Sequence, residues 1–371
     1  MLLFIALPII GHSHLFCKRF FIFLFLVLAV SCVKASKDDL PESRIEVNAE
    51  ISQSSLTKAI HEGTSFKTGN TIGIFVYHSE TEDVASPSPM SGYVLYGERY
   101  KNIRATFDER NRAKPWKFNF ENATTVFDDI YLLKPTVSAF ETGLAVVAYA
   151  PFIENVSSIT EIPFTLGGKS EGIRDLLWAR QNTHDASVNP IDPGKNYKVI
   201  PDGNVKPVDF TFQHALSLLR IGFRCKYDGS LITLTSITLK KKDGGQTSLP
   251  ISGKFNAMTG GVENVAHANS LTYDYTDKAY AFQSTVDYVY VPMLICPQTY
   301  LADGDYLLEF ELNGQKLQSS YEIKLSDVAG GFKAGEVYTF NFTVDNYVQF
   351  DGVTVSTEWI ELDVNKKELK F

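Results

Sequence analysis

Cys32 carries the most specific chemistry in this chain. The basic pair Lys18–Arg19 precedes an eleven-residue apolar run, Phe20 to Val30, and the small or aliphatic Ala29-Val30-Ser31 leads into the cysteine. A basic flank, an apolar core, small residues and a cysteine form the layout of a lipoprotein-type signal, in which the thiol is acylated as the signal is cut away. A helix that crosses a bilayer needs roughly 20 apolar residues. The run therefore reads as a removable signal over residues 1–31, with Cys32 as the lipidation site. Residues 32–44 follow as a solvated tether, because Val33-Lys34-Ala35-Ser36-Lys37-Asp38-Asp39 is too polar to pack.

The other reactive residues do not assemble into a catalytic or metal-binding pattern. The sequence holds no glycine-rich phosphate loop, no HExxH and no GxSxG. The seven histidines are scattered. His214 ends a strand pattern with no nucleophile or carboxylate beside it in sequence, so it reads as a packed or hydrogen-bonded side chain. Adjacent carboxylates on a strand point to opposite faces, so Asp128-Asp129 and Asp38-Asp39 read as solvated turns rather than acid–base pairs. Beyond the signal and Cys32, only Cys225 and Cys296 remain. They form one disulfide or two buried thiols, and the apolar side of the pattern around Cys225 favours thiols. The expectation is a protein that is not an enzyme and uses no cofactor and no metal. A net charge of -8 leaves no surplus of Lys and Arg for phosphates, which argues against nucleic acid.

Strands must position these residues. Hydrophobic residues make up 44% of the chain, with 26 Phe and 18 Tyr, enough for a packed core and a bias toward β structure. Ile45, Val47, Ala49 and Ile51 alternate with Glu46, Asn48 and Glu50. The same period of two runs through Val208, Phe210 and Phe212, through Leu219 to Tyr227, and through Tyr338 to Val344. Tyr306, Leu308, Phe310 and Leu312 run into Asn313-Gly314, a hairpin turn in which both residues accept positive φ. Val353 and Val355, then Ile360, Leu362 and Val364, continue the alternation. Each strand buries one face, the behaviour of antiparallel sandwiches. Arg174 to Arg180 carries the main helix signal, one turn or two. Roughly 150 residues per domain suggests two domains after residue 31. The Pro- and Gly-rich stretch 182–207 divides them: an N-terminal β-sandwich over 45–195 and a C-terminal one over 206–371.

Several blocks, taken in order, resemble the fimbrillins of the Bacteroidetes, the subunits of type V pili. They are Cys32; Leu56-Thr57-Lys58-Ala59; Ser65-Phe66 with Gly69-Asn70-Thr71-Ile72-Gly73-Ile74-Phe75, where Asn70 replaces the family's usual Asp; and Val147-Ala148-Tyr149-Ala150-Pro151-Phe152. Then come Asp175-Leu176-Leu177-Trp178-Ala179, Phe212-Gln213-His214-Ala215-Leu216, and Gly335-Glu336-Val337-Tyr338-Thr339-Phe340. Lys37-Asp38-Asp39 also resembles the acidic signal that sends lipoproteins of that phylum to the outer face of the outer membrane.

The resemblance implies an all-β fold of two tandem transthyretin-like antiparallel sandwiches. It implies a surface-exposed lipoprotein of the cell outer membrane that builds adhesive fimbriae. In that scheme a trypsin-like protease removes the first strand, here Ile45, Val47, Ala49 and Ile51. A donor strand of the next subunit, here Val353, Val355, Ile360, Leu362 and Val364, then fills the groove. Cleavage is expected between Lys58 and Ala59, with Arg44 as the alternative, although a cut there leaves the first strand attached. The partners implied are other fimbrial subunits, the membrane lipid, the protease, and a receptor that the sequence does not name. Two alternatives stand beside this: an anchor subunit that keeps its lipid and first strand, and a monomeric surface lipoprotein that binds glycan through exposed aromatics.

Overall fold

The computed structural model describes residues 43–51, 66–79, 93–95, 98–120, 126–132, 144–169, 175–180, 205–229, 231–243, 248–298, 305–313, 315–316, 320–328, 330–345 and 347–356. These residues form strands, joined by turns and short 3₁₀ segments, with no α-helix among them. The chain opens with β1 (Ser43–Ile51), β2 (Thr71–Ser79), β3 (Tyr93–Leu95), β4 (Ile103–Phe107), β5 (Trp116–Asn119) and β6 (Ile130–Leu132). It continues through β7 (Leu144–Ala150), β8 (Ile162–Thr165), β9 (Gly168–Lys169), β10 (Leu177–Arg180) and β11 (Lys206–His214). Next come β12 (Ser217–Cys225), β13 (Ile232–Lys241), β14 (Leu249–Asn256), β15 (Gly261–Ala268), β16 (Ser270–Asp274) and β17 (Tyr280–Phe282). The last are β18 (Val289–Ile295), β19 (Tyr306–Leu312), β20 (Gln315–Lys316), β21 (Tyr321–Ile323), β22 (Val337–Val344) and β23 (Val348–Ser356).

The first sheet runs β5-β4-β2-β7-β10-β11-β1-β6, with β3 beside β2. It folds back on itself at β11, which pairs with β10 only at Gln213 and His214 and with β1 from Lys206 to Phe212. The fold encloses one apolar cluster, built from Ile45, Val47 and Ile51 on one side and Ile72, Ile74, Trp116, Phe118 and Leu177 on the other. A second cluster uses the opposite face of β2 and β7, through Phe75, Tyr77, Val147 and Tyr149, and continues through β12–β22. Strands β2 and β7 are buried on both faces, which is why they read as nearly unbroken apolar runs. The later strands form sheets ordered β18-β12-β22-β23, β20-β19-β13-β16-β9 and β15-β14-β8. Asn313 turns the β19–β20 hairpin at φ 50°, the positive φ that an Asn in such a turn accepts.

Three findings differ from the sequence reading. Three strand pairings in the otherwise antiparallel fold are parallel: β1 with β11, β12 with β22, and β9 with β16. The Arg174–Arg180 segment is no helix over its described part: Leu177–Arg180 is β10, paired with β7. Tertiary packing decides this, because Trp178 lies against the β14–β15 turn, where a Cβ on Gly260 would fall 2.3 Å from the indole Nε1. The sheets also change hands later than the Pro-rich stretch suggests. Strand β11 belongs to the first sheet, β12 begins the second set three residues on, and β8 crosses over to pair with β14.

Candidate assembly site

Strand β1 is the middle strand of a short three-stranded layer. It runs parallel to β11 from Ile45↔Lys206 to Ile51↔Phe212 and antiparallel to β6 at Ser43↔Leu132, Arg44↔Tyr131 and Ile45↔Ile130. Both of its edges are therefore hydrogen-bonded near its start, and the β11 edge is bonded throughout. The period of two places Ile45, Val47 and Ile51 in the apolar cluster at 0%, 5% and 1% exposure. Ala49 is half-buried and fills a shallower position. Burying a side chain of this size stabilises by about 1.5–3 kcal/mol, so three such positions give β1 a large share of the layer's stability.

The outward face is polar and paired. Asn48 Nδ2 donates to Asp209 Oδ1 at 2.8 Å, and Thr211 Oγ1 donates to Glu50 Oε1 at 3.2 Å. Arg44 Nε lies 3.5 Å from Asp129 Oδ1, whose other oxygen takes Lys114 Nζ at 2.7 Å. Asp128 pairs with Lys117, which holds its carboxyl below the usual range. The two adjacent aspartates are thus ion-pair partners on the rim of β1. Strand β6 is clamped by Tyr100 Oη, which donates to the Tyr131 carbonyl at 2.8 Å.

After β1, the described chain resumes at Phe66. Its ring meets Trp116 and Phe212 edge-on at 5.1 and 5.3 Å between centroids. Ile51 and Phe66, the residues flanking 52–65, are both buried in the same cluster. Lys58 and Ala59 lie outside the described residues, as do Cys32, Ile360, Leu362 and Val364. Arg44 is the second residue of β1 itself.

Val353 and Val355 lie in β23, an edge strand with one strand partner among the described residues. It pairs antiparallel to β22 from Val344↔Val348 to Val337↔Ser356, with an irregularity beside Gly352. Val353 packs half-buried against the second cluster, and Val355 is 41% exposed. Phe350 stacks on Tyr321 at 4.0 Å, and Asp351 accepts from Tyr288 Oη at 2.7 Å.

Sequence reasoning missed the partner of His214. The imidazole Nδ1 is hydrogen-bonded to Asp175 Oδ2, and neither side chain reaches solvent. Asp175 opens one of the blocks quoted above and His214 sits in the next, but 39 residues separate them and no local pattern joins them. Cys225 and Cys296 are buried thiols and form no disulfide with each other, and burial pushes the Cys296 thiol up to about 12. Among the described residues no group of His, Cys, Asp and Glu has a metal-binding arrangement.

The profile of the protein family described as Fimbrillin-like matches residues 57–359. Among solved structures, a candidate cell adhesion protein of Bacteroides ovatus superposes with a TM-score of 0.52 at 15% identity, over 86% of this chain and 99% of that one. A second such protein, from Bacteroides uniformis, gives 0.48 at 16% identity over 87% and 100%. The tip fimbrial protein Mfa3 of Porphyromonas gingivalis gives 0.41 at 10% identity over 86% and 100%. No curated protein matches the chain. The Bacteroides ovatus likeness establishes a shared fold. The family match takes in every strand from β2 to β23, and the chain belongs to the Fimbrillin-like family, as a structural fimbrial protein of the cell surface and not an enzyme.

Proposed function

We propose that the chain is a fimbrial subunit that polymerises by replacing β1 with a strand from the next subunit. The observation that carries this reading is the place of β1 between β11 and β6. Its removal would open a slot with a hydrogen-bonding wall on each side and three deep apolar positions in its floor. Unpaired backbone groups and apolar surface are costly in water, so the slot would take up any extended segment with matching alternation. A trypsin-like cut after Lys58 frees β1 from a core that Phe66 still closes. A cut at Arg44 leaves the body of β1 in place. In the donor, Val353 and Val355 are already committed to β22, so the exchanged part is Ile360, Leu362 and Val364.

The chain reaches the cell outer membrane through acylation of Cys32 and divides into two sandwich units, which change over at Ala215–Leu216 between β11 and β12. The membrane lipid, the processing protease, neighbouring subunits and a surface receptor are its partners. The test is the mature N-terminus of surface-sheared protein, read beside ladders on unboiled gels. Wild type is expected to start at Ala59 and to form ladders. Lys58→Ala is expected to retain Cys32 and form none. Wild-type ladders with an intact terminus at Cys32 would refute processing, and a monomer with that terminus would favour the anchor or glycan-binding reading.

A further inference from the structure

We infer that the slot under β1 is patterned against this chain's own tail, so that its occupant is the strand of a different fimbrial subunit; this rests on the strand-replacement reading. Ile45, Val47 and Ile51 mark the deep positions of the slot, and Ala49 packs half-buried between the last two. Successive inward positions on a strand lie two residues apart. A strand that fills every deep position therefore carries apolar side chains at i, i+2 and i+6, with a small one at i+4.

The tail lacks that pattern. Its alternating series reads Glu358, Ile360, Leu362, Val364, Lys366 and Glu368. The apolar members span four residues, whereas Ile45 and Ile51 stand six apart. Ile360, Leu362 and Val364 can occupy positions 45, 47 and 49, or 47, 49 and 51, with the tail running in either direction. In each of these four registers the remaining deep position meets Glu358 or Lys366, or stays empty. A charge in an apolar site and an unfilled pocket both cost free energy. Position 49 then receives Ile360, Leu362 or Val364 where β1 has alanine. Any other register of this series brings Glu358, Lys366 or Glu368 onto the inward face in place of an apolar residue. The odd-numbered series turns Glu361 and Asp363 inward.

The outward face adds an independent mismatch. Position 48 lies between 47 and 49, so each of the four registers puts Glu361 or Asp363 there. In β1 this residue is Asn48, opposite Asp209 in the ladder, and Asn48 Nδ2 donates to Asp209 Oδ1 at 2.8 Å. The tail replaces that donor with a carboxylate, and like charges directly opposite on neighbouring strands destabilise the pair. Whatever else Asp209 touches is common to both cases. The strand that suits the slot therefore has a neutral or basic residue at i+3. The chain is a point of change in its fibre: its slot takes another subunit's strand, and its tail enters a slot of another pattern.

The test uses the full chain with a specific protease site inserted after Lys58, cut in the presence of excess labelled peptide so that the slot is never left empty. Three peptides are compared: residues 43–51, residues 357–366, and residues 357–366 with Glu361→Gln and Asp363→Asn. The 43–51 peptide is expected to exchange in. The 357–366 peptide is expected to bind about tenfold to a hundredfold more weakly, the loss of one deep apolar position. Its neutral version is expected to regain about twofold to fivefold, and that regain is expected to vanish in the Asp209→Asn chain. Light scattering is expected to find the cut chain monomeric when no other subunit is present. Equal binding of the 43–51 and 357–366 peptides, or ladders formed by the cut chain alone, overturns the inference. A regain of the same size in the Asp209→Asn chain overturns the part given to Asp209. A cut chain that takes up none of the peptides, 43–51 included, overturns the strand-replacement reading, and the inference with it.

Discussion

Strands β1 and β23 stand near the two ends of the described chain and are built on opposite plans. Strand β1 has neighbours on both sides and sinks Ile45, Val47 and Ile51 into the core. Strand β23 has one neighbour among the described residues, β22, and leaves Val355 41% exposed. The first is a strand whose absence leaves a shaped hole, and the second is one whose outer edge is open among the described residues. A fibre that grows by strand replacement needs both, a slot and a tail, and the difference teaches which strand plays which part. A strand bonded on two edges cannot leave by peeling alone, which is why covalent cutting of the 52–65 connection belongs in the proposal. A strand bonded on one edge but anchored by Phe350 and Asp351 is better suited to present a tail than to be the tail.

Shortening the chain gives the largest effect. A chain ending at Ser356 is expected to keep its melting temperature and lose polymerisation, because Ile360, Leu362 and Val364 go with the tail. A chain ending at Tyr347 also loses Phe350, Val353 and the whole β22–β23 ladder, and it is expected to unfold or aggregate. If the chain ending at Ser356 still forms ladders, β23 itself is the donor, and the division of roles between the strands is wrong.

A pair of single substitutions sharpens the same contrast. Ile45→Ala is expected to lower the free energy of unfolding by about 2–5 kcal/mol, the usual range for a truncated core residue. Val355→Ala is expected to change it by less than about 0.5 kcal/mol. Urea titration of the uncut chain measures both. Equal losses would mean that the two strands are equally built into the core.

The sequence shows β1 and β11 plainly, as two alternating runs, but nothing in either run says that they lie side by side and parallel. That pairing joins residues 161 apart, such as Asn48 and Asp209. The hairpin after β19 is legible because Asn313 and Gly314 carry their own geometry. Strand β10 is not, because Leu176-Leu177-Trp178-Ala179 is an unbroken apolar run without a period, and its conformation is settled by the β14–β15 turn that Trp178 meets. The Pro- and Gly-rich stretch reads as a connection in the sequence, but composition cannot tell which sheet the strand after it, β11, will join. His214 shows the same limit for the candidate site. Its position at a strand end is legible, while its partner is a tertiary fact.

The smallest effect separates the two strands by pH. Strand β23 is tied down partly through a phenol, since Tyr288 Oη donates to Asp351, whereas outward contacts of β1 with β11 run through Asn48 and Glu50. Burial, and then the Asp351 carboxylate, push the Tyr288 phenol from its ordinary value near 10 up to about 12. A phenol whose pKa rises on folding stabilises most fully below pH 10, while it is neutral in both states. That contribution is lost as the pH climbs through 12, where the folded form must also ionise. Tyr288→Phe never ionises at this position, so the difference between wild type and variant isolates the phenol from every other tyrosine. At pH 8 wild type is expected to be more stable by no more than about 1 kcal/mol, because the contact is partly solvated. Between pH 10 and 12 the gap is expected to close. A gap that persists unchanged at pH 12 would mean that the Tyr288–Asp351 bond does not hold β23, and that Phe350 and the ladder do so alone.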